Sequence, residues 1–233
     1  MKNPLKNAVK LLYPDRCLFC DSVVAAGHFC CARCQPRLPT ILDDCCICCG
    51  KPPARCGCSP VAAKPYRWLI AVFRYTGPVR RAVATFKFGG RREAADYFAG
   101  LMAERLLRRA SPLPFEVVTC VPMSRQKEQR RGYNQSALLA AALALRLGLP
   151  FEPGLLTRSG ILTQHDLSGR FRRLGAKAAF HAGEAQKAQG RHILLVDDIA
   201  TTGSTLEQCA WALMDAGAEA VYCAAVAQAP PRS

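Results

Sequence analysis

The stretch that decides the fold is Ile193–Thr205, which reads ILLVDDIATTGST. Four apolar residues predict a buried strand, and two adjacent acids follow at its carboxyl end. A loop of small hydroxylated residues around one glycine then leads into a helix. Ligands of open α/β sheets bind outside the carboxyl ends of the strands, and the N–H groups of such a loop form an anion cradle with the helix N-terminus. The stretch therefore predicts an anion-binding site at one edge of a sheet.

The residues of this loop suit two different parts of one ligand. Hydroxyl and N–H donors suit a phosphate. Two carboxylates instead repel a phosphate and accept hydrogen bonds from the hydroxyl groups of a ligand. A 5-phosphorylated ribose meets both demands, with its phosphate in the loop and its 2- and 3-hydroxyls on Asp197 and Asp198. An ordinary strand end with a Thr or Ser helix cap is common for single residues of this kind, but not for the whole pattern. The candidate binding residues are Asp197, Asp198, Ala200, Thr201, Thr202, Gly203, Ser204 and Thr205.

The elements on either side of this stretch predict a parallel sheet. HILLVDD, a helix from Leu206 to Ala216 and AVYCAAVA form a strand–helix–strand unit of the kind that joins parallel strands. Upstream, RWLIAVFRYTG and FEVVTCVP read as further strands, and a basic loop with a turn at Arg131-Gly132 follows the second. We therefore predict an α/β fold with flanking helices. The other helices are predicted from apolar spacing at Val79, Ala82, Val83 and Phe86, and over Ala94–Arg109 and Ala137–Leu147.

Cysteine is concentrated at the start of the chain, with 11 of the 14 cysteines in the first 58 residues. This segment lacks long hydrophobic runs, and CxxC pairs in a reducing compartment more often hold metal than form disulfides. Four pairs suit two structural zinc sites of four thiolates each, and spacing alone selects Cys31 over Cys30. The alternative is an unmetallated, redox-active cluster. The predicted ligands are Cys17, Cys20, Cys31, Cys34, Cys46, Cys49, Cys56 and Cys58.

Composition and charge divide the chain into a cysteine-rich module over residues 1–64 and an α/β domain over residues 65–233. The hydrophobic share of 50% supports a packed core and excludes a disordered chain. Of the net charge of +15, +9 lies in residues 65–135, which indicates either a solvated basic face or a site for a phosphorylated molecule or nucleic acid. No apolar stretch of about 20 residues and no secretory signal is present, so we expect no membrane span and a cytoplasmic protein.

Ile193–Thr205 resembles the phosphoribosyl-pyrophosphate (PRPP) loop of type I phosphoribosyltransferases. The rest of the chain is similar, over essentially its full length, to the ComF family of competence-associated phosphoribosyltransferase-like proteins with a double zinc ribbon. Besides the four cysteine pairs, the residues that carry this similarity are Lys87-Phe88-x-Gly90, Val121-Pro122, Arg131-Gly132-Tyr133-Asn134-Gln135, and Arg158, Thr163, Gln164, Leu167, Arg172 and Phe180. The resemblance implies a type I phosphoribosyltransferase-like sheet behind an N-terminal zinc ribbon.

The resemblance also implies roles for these residues. Thr201–Thr205 would hold the 5-phosphate, and the two acids would bind the ribose. The Arg131-Gly132 turn would bind the pyrophosphate, and residues 158–177 would form a closing loop. The implied reaction is that of a glycosyltransferase, in which a nucleophile, usually a nitrogen, displaces pyrophosphate from the anomeric carbon while Mg²⁺ bridges pyrophosphate and ribose. We expect Lys87, Arg125 and Arg131 to neutralise the leaving group. The candidate catalytic residues are Asp197, Asp198, Arg131 and Lys87.

Two departures from the family pattern concern the closing loop and the second zinc site, and two classes of function remain open. Arg172 is followed three residues later by Gly175 where family members usually carry Asn, and Cys56-x-Cys58 is one residue short. The first class is an active transferase, and the second is an inactive PRPP- or nucleotide-sensing module. Either would act in DNA uptake during natural transformation, and the expected partners are PRPP, single- or double-stranded DNA, and competence or DNA-processing proteins.

Overall fold

The structure of the protein is a computed structural model with a four-stranded sheet at its centre. Its strands are parallel and follow the spatial order β1-β6-β5-β2, and a separate antiparallel pair is formed by β3 and β4. The predicted parallel α/β sheet is thereby confirmed. The strands are β1 Leu69–Arg74, β2 Val117–Cys120, β3 Leu156–Arg158, β4 Phe180–Ala182, β5 His192–Ala200 and β6 Ala220–Gln228. The structure describes residues 14–42, 46, 54, 56, 64–158 and 180–230.

Strand β5 extends beyond one of its two neighbours, and this exposes its carboxyl end. Cys120, the last residue of β2, lies opposite Val196, and the Val121 N–H still donates to the Val196 carbonyl at 3.0 Å, after which the chain leaves the strand and enters the third helix. On the other side, β6 continues to pair with β5 as far as Ala200. The two acids that follow Val196 therefore lie where the sheet is open on one side.

The core lies on both faces of this sheet, because side chains alternate along β5. Leu194 and Val196 pack on one face with residues of the first, second and fourth helices, whereas Ile193 and Leu195 pack on the other with the fifth helix and the β3–β4 pair. Both layers bury their large apolar side chains almost fully. The helices are α1 Gly77–Phe88, α2 Ala94–Arg109, α3 Arg125–Arg131, α4 Gln135–Leu147 and α5 Ser204–Asp215.

The structure differs from the predicted elements at several places near the open edge, where α5 also begins at Ser204 rather than at Leu206. The predicted basic loop contains α3, which has no apolar periodicity to reveal it but consists of good helix formers and ends at Gly132 with φ 78°. Helix α4 begins at Gln135, two residues before the predicted start at Ala137, because the Asn134 side chain accepts hydrogen bonds from N–H groups of its first turn. Strand β5 continues two residues past the acids, to Ala200.

The described part of the cysteine-rich segment packs directly on the α/β domain. Arg74 N–H donates to the Pro39 carbonyl (2.7 Å), and Ile41 N–H donates to the Val72 carbonyl (2.9 Å), so residues 39–41 run along the outer edge of β1. Phe19 also lies edge-on against Phe73 of β1, with 6.0 Å between ring centroids. The two parts of the chain therefore share one hydrophobic core. None of the helices in the described ranges combines the length and the apolar character needed to cross a membrane.

Candidate functional site

Two adjacent carboxylates with different partners lie at the open end of β5. Asp197 Oδ1 accepts a hydrogen bond from the Ser136 hydroxyl at 2.9 Å and another from the Asp198 N–H at 2.8 Å. Asp198 is buried, at 7% exposure, and its Oδ1 lies 2.9 Å from Lys87 Nζ. The N-terminus of α4 and the C-terminus of α1 therefore each hold one acid of the pair.

The Asp197 carboxyl ionises near neutral pH. Burial raises its pKa to about 7, and the negative charge of Asp198 adds to the rise. The hydrogen bonds from Ser136 and the Asp198 N–H, together with the charge of Lys87, act in the opposite direction. A ligand that brings hydroxyl donors or a cation to this carboxyl favours its ionised form.

The hydroxyl-rich loop follows the acids directly and leads into α5. Gly203 has φ 82°, a left-handed conformation that turns the chain into the helix beginning at Ser204. The Thr202 hydroxyl lies 2.7 Å from the Ser204 hydroxyl and accepts the Ser204 N–H at 3.3 Å. Ala200 is buried, whereas Thr201, Thr202, Ser204 and Thr205 are exposed. The loop thus presents hydroxyl groups to solvent at the N-terminus of a 12-residue helix, which favours anions.

The first turn of α5 also contains an acid, and a lysine from outside the helix neutralises it. Glu207 forms an ion pair with Lys64. The Tyr66 hydroxyl lies beside Gly203, at 3.5 Å from the position that a Cβ would occupy there. The segment that joins the cysteine-rich region to β1 therefore contacts the hydroxyl-rich loop and the first turn of α5 through Tyr66 and Lys64.

The basic side of the site is a network that connects α1, α3 and α4. Arg131 Nη1 donates to Gln135 Oε1 at 2.9 Å, and Gln135 Nε2 donates to the carbonyl of Lys87 at 3.4 Å. The Tyr133 hydroxyl donates to the Phe86 carbonyl at 2.6 Å. The segment RGYNQ is thereby docked on the segment KFGG, which carries Lys87 to the carboxylates.

The Gly132 turn is held by Arg92, which lies two residues before α2. Arg92 Nη2 donates to the Gly132 carbonyl at 3.3 Å, and its guanidinium lies 4.6 Å from the centroid of the Tyr133 ring. A Cβ on Gly132 would approach that guanidinium to 3.2 Å, and its φ of 78° disfavours other residues.

The structure brings most of the candidate sugar–phosphate residues into one region. Lys87 and Asp198 are in direct contact, and Arg131 joins them through Gln135. The structure describes no contact between Arg125, the exposed first residue of α3, and either carboxylate. Of the predicted closing loop over residues 158–177, only Arg158 lies within the described residues.

Sequence reasoning missed Ser136, which holds Asp197. Ser136 is buried, at 5% exposure, in the first turn of α4. Its only signal in the sequence is its place after Asn134, which indicates a helix start rather than a contact with a strand far along the chain. The contact depends on how α4 packs on β5, and local sequence does not encode that packing.

Four cysteine thiols converge near the sheet edge. The sulfur atoms of Cys17, Cys20, Cys31 and Cys34 all lie within 4.8 Å of one another, with 3.6 Å between those of Cys20 and Cys31. Sulfurs bound at about 2.3 Å to one tetrahedral zinc lie about 3.8 Å apart, so the cluster fits zinc. A zinc bound there would have a closed, structural coordination shell. Of the other four predicted ligands, Cys46 and Cys56 belong to the described residues, whereas Cys49 and Cys58, with which they are predicted to pair, lie outside them.

Cys30 lies beside this cluster and has a different environment. Burial raises the pKa of its thiol to about 11, and electrostatic interactions with Cys17 and Cys31 contribute in the same direction. Its Sγ donates to the Cys31 carbonyl at 3.5 Å and does not belong to the group of four sulfurs that converge. The geometry therefore agrees with the choice of Cys31 rather than Cys30 as a ligand.

Comparisons with protein families match both parts of the chain. Residues 8–63 match a model described as a double zinc ribbon domain, and residues 133–232 match one described as a phosphoribosyl transferase domain. The first match contains the four-cysteine cluster. The second contains the carboxylate pair, the hydroxyl-rich loop and α4 with Ser136.

Curated relatives are similar over nearly their whole length. The DNA utilization protein YhgH of Salmonella typhi is 35% identical over 220 residues, which cover 91% of this chain and 96% of that protein. Competence protein F of Haemophilus influenzae is 29% identical over 224 residues, which cover 92% and 97%. Among solved structures, a glutamine PRPP amidotransferase from B. subtilis superposes with a TM-score of 0.44 at 21% identity, over 61% of this chain and 30% of that one.

Proposed function

This chain belongs to the ComF family of competence and DNA-utilization proteins, with a double zinc ribbon and a phosphoribosyltransferase domain, and on that premise we propose that it binds PRPP with Mg²⁺. It transfers the phosphoribosyl group to a nucleophile in a pathway that uses incoming DNA in the cytoplasm. The observation that supports this proposal most is the carboxylate pair of Asp197 and Asp198, held from two sides and followed directly by an exposed hydroxyl loop at a helix N-terminus.

The two ends of the site suit the two ends of a ribose 5-phosphate. The exposed donors of residues 201–205 and the N-terminus of α5 bind the phosphate. Asp197 and Asp198 accept hydrogen bonds from the ribose hydroxyls, which point away from that phosphate. Mg²⁺ prefers carboxylate and phosphate oxygens, so this donor set fits it, and when bound it would neutralise charge on the pyrophosphate and orient it.

The chain's own cations lie on the side where pyrophosphate would leave. The bond between the anomeric carbon and the pyrophosphate oxygen breaks, the bond to the nucleophile forms, and the proton of the nucleophile passes to solvent or to a base. Negative charge then grows on the leaving group, and Lys87 and Arg131 stabilise that charge. Both cations are already positioned, Lys87 by Asp198 and Arg131 by Gln135. Arg125 and Gly132 complete the proposed pyrophosphate side.

A second candidate function is a sensor that binds PRPP or a nucleotide without turnover. Two observations favour it: the charge of +9 over residues 65–135 exceeds what one pyrophosphate needs, and Gly175 replaces a residue usual in the closing loop. Such a sensor would act through DNA or through competence and DNA-processing proteins. Release of pyrophosphate in a screen of nitrogen nucleophiles separates the two candidates, since only the transferase releases it.

The first experiment is calorimetric titration of PRPP with Mg²⁺ into zinc-replete protein. We expect the wild type to bind, and the double variant Asp197→Asn/Asp198→Asn to bind at least about tenfold more weakly, because it loses both negative charges and one accepting oxygen of each carboxylate. Asp215→Asn is the matched control, since Asp215 is an exposed acid at the far end of α5. Equal affinity of the wild type and the double variant, or no binding by folded wild type, would refute the proposal.

A further inference from the structure

Phe88, the last residue of α1, exposes its aromatic ring beside the proposed site. The residue is 68% exposed, whereas Phe86, two positions earlier, is fully buried in the core. Single exposed apolar residues are common on protein surfaces and alone require no explanation. The surroundings of Phe88 distinguish it from such residues.

An arginine from another helix is fixed against this ring. The guanidinium carbon of Arg131 lies 4.6 Å from the Phe88 ring centroid, within the range of a cation–π contact. Its Nη1 is held by Gln135, and its Nε is buried without a hydrogen-bond partner among the described residues. The ring and the guanidinium therefore support one another, and the exposed part of the ring remains accessible.

The position of Phe88 connects this ring to the anionic end of the proposed ligand. Its chain neighbour Lys87 contacts Asp198 at 2.9 Å. The six residues 87–92 contain three basic side chains and no acid, and residues 125–131 contain four basic side chains and Glu128. An accessible aromatic ring among fixed cations is the combination with which proteins bind nucleotides in unpaired strands, since the cations bind phosphate and the ring stacks on the base.

We propose that Phe88 is a stacking platform for an unpaired nucleobase, with Arg131 supporting the ring from behind. The base belongs either to a free nucleotide or to single-stranded DNA, which share this chemistry. The proposal rests on the proposed function in the nucleotide arm only, where residues 201–205 hold the 5-phosphate of the nucleotide while its base reaches Phe88; in a strand, the cations beside Phe88 bind the backbone phosphates. Stacking accepts any base, so the platform contributes affinity rather than sequence preference.

The test compares probes that differ only in the presence of a base. In the strand arm, a short labelled oligothymidylate is compared with an abasic strand of the same length by fluorescence anisotropy. In the nucleotide arm, AMP is compared with ribose 5-phosphate by calorimetry. Both pairs are titrated into the full-length, zinc-replete wild type and into Phe88→Ala, Phe88→Trp and Leu145→Ala. Leu145 is the matched control, because it is an apolar side chain that is 83% exposed on α4.

We expect Phe88→Ala to bind the base-bearing probe of one arm about tenfold more weakly than the wild type does. Its affinity for the probe without a base equals that of the wild type. Phe88→Trp retains the affinity of the wild type, and so does Leu145→Ala. Phe88→Ala carries no change of charge, so its salt dependence toward the strand stays that of the wild type. A loss confined to the strand arm assigns the base to single-stranded DNA, and a loss confined to the other arm assigns it to a free nucleotide.

Two results would overturn the proposal. One is a wild type that binds base-bearing and baseless probes equally in both arms, and the other is a Phe88→Ala variant that retains the wild-type ratio. Failure of ribose 5-phosphate to bind the wild type contradicts the proposed sugar–phosphate site, yet the strand arm still measures stacking. The two proposals therefore fail on different measurements.

Discussion

At the scale of single residues, the pKa of Asp197 makes the proposed function dependent on pH. Burial and the charge of Asp198 raise this pKa to about 7, so the ionised fraction of the carboxyl increases as pH rises from about 6 to about 8. Ribose hydroxyls and Mg²⁺ require the ionised form. We therefore expect the affinity for PRPP with Mg²⁺ to increase about fivefold to tenfold over this range, as measured by calorimetry.

The ligand's own phosphates also titrate near this range, so the comparison must remove their effect. Asp197→Asn has no carboxyl at this position and retains an oxygen that can accept the Ser136 hydroxyl. The wild type and this variant share the ligand's titration, and only the wild type adds that of Asp197. Parallel pH profiles of the two proteins would contradict the assignment.

The same residues mark the limit of what the sequence predicts. The place of Asp197 and Asp198 after an apolar strand predicts a site there, and the structure places both acids at the open end of β5. No local pattern indicates that Ser136 and Lys87 divide the pair between them, because each contact joins elements far apart in the chain. Local patterns identify the reactive groups, and tertiary packing determines their partners.

At the scale of elements, hydrophobic periodicity determines which predictions hold. The elements β5, α5 and β6 have buried apolar residues at strand or helix spacing, and each is predicted close to its observed bounds. Helix α3 has no buried residue, so periodicity cannot reveal it. Its position still matters, because it carries Arg131 to Phe88 and Gln135.

The turn from β5 into α5 depends on the backbone of Gly203. A Cβ there would make only ordinary contacts, at 3.5 Å from the Tyr66 hydroxyl and 3.6 Å from a Glu207 oxygen, but the φ of +82° disfavours any other residue. We expect Gly203→Ala to lower the free energy of unfolding by about 1 kcal/mol and to weaken binding of ribose 5-phosphate about fivefold. Urea unfolding and calorimetry measure the two effects.

Gly190 provides the matched control for this turn. It has a φ of +68°, and no atom of the described residues lies within 4 Å of the position that a Cβ would occupy there. It precedes β5 at the amino end of the sheet, away from the site. Gly190→Ala therefore carries a similar backbone cost of about 1 kcal/mol and leaves binding unchanged. If both variants weaken ribose 5-phosphate equally, the loop is not the phosphate site.

At the scale of the whole molecule, the described part of the cysteine-rich segment, residues 14–42, packs into the α/β core. Phe29 stacks on Tyr97 of α2 at 5.3 Å between centroids, Phe19 packs on Phe73, and residues 39–41 extend the sheet edge. Arg91, which follows the KFGG segment, donates to the Arg16 carbonyl at 3.4 Å, next to Cys17 of the four-cysteine cluster. The four-cysteine cluster and the proposed pyrophosphate side therefore lie on one continuous structure.

This continuity predicts that zinc stabilises the entire chain. Cys34→Ser removes one thiolate of the cluster, so we expect it to lose one equivalent of zinc and on the order of 3 kcal/mol of stability in a single cooperative transition. Cys30→Ser is the matched control: it replaces a neighbouring thiol that lies outside the group of four converging sulfurs, retains the zinc and costs about 1 kcal/mol. A chromogenic chelator measures released zinc, and circular dichroism follows unfolding. Loss of zinc by Cys30→Ser but not by Cys34→Ser would reverse the ligand assignment. If the unfolding transition of the α/β domain is unchanged in zinc-depleted protein, the two parts unfold independently.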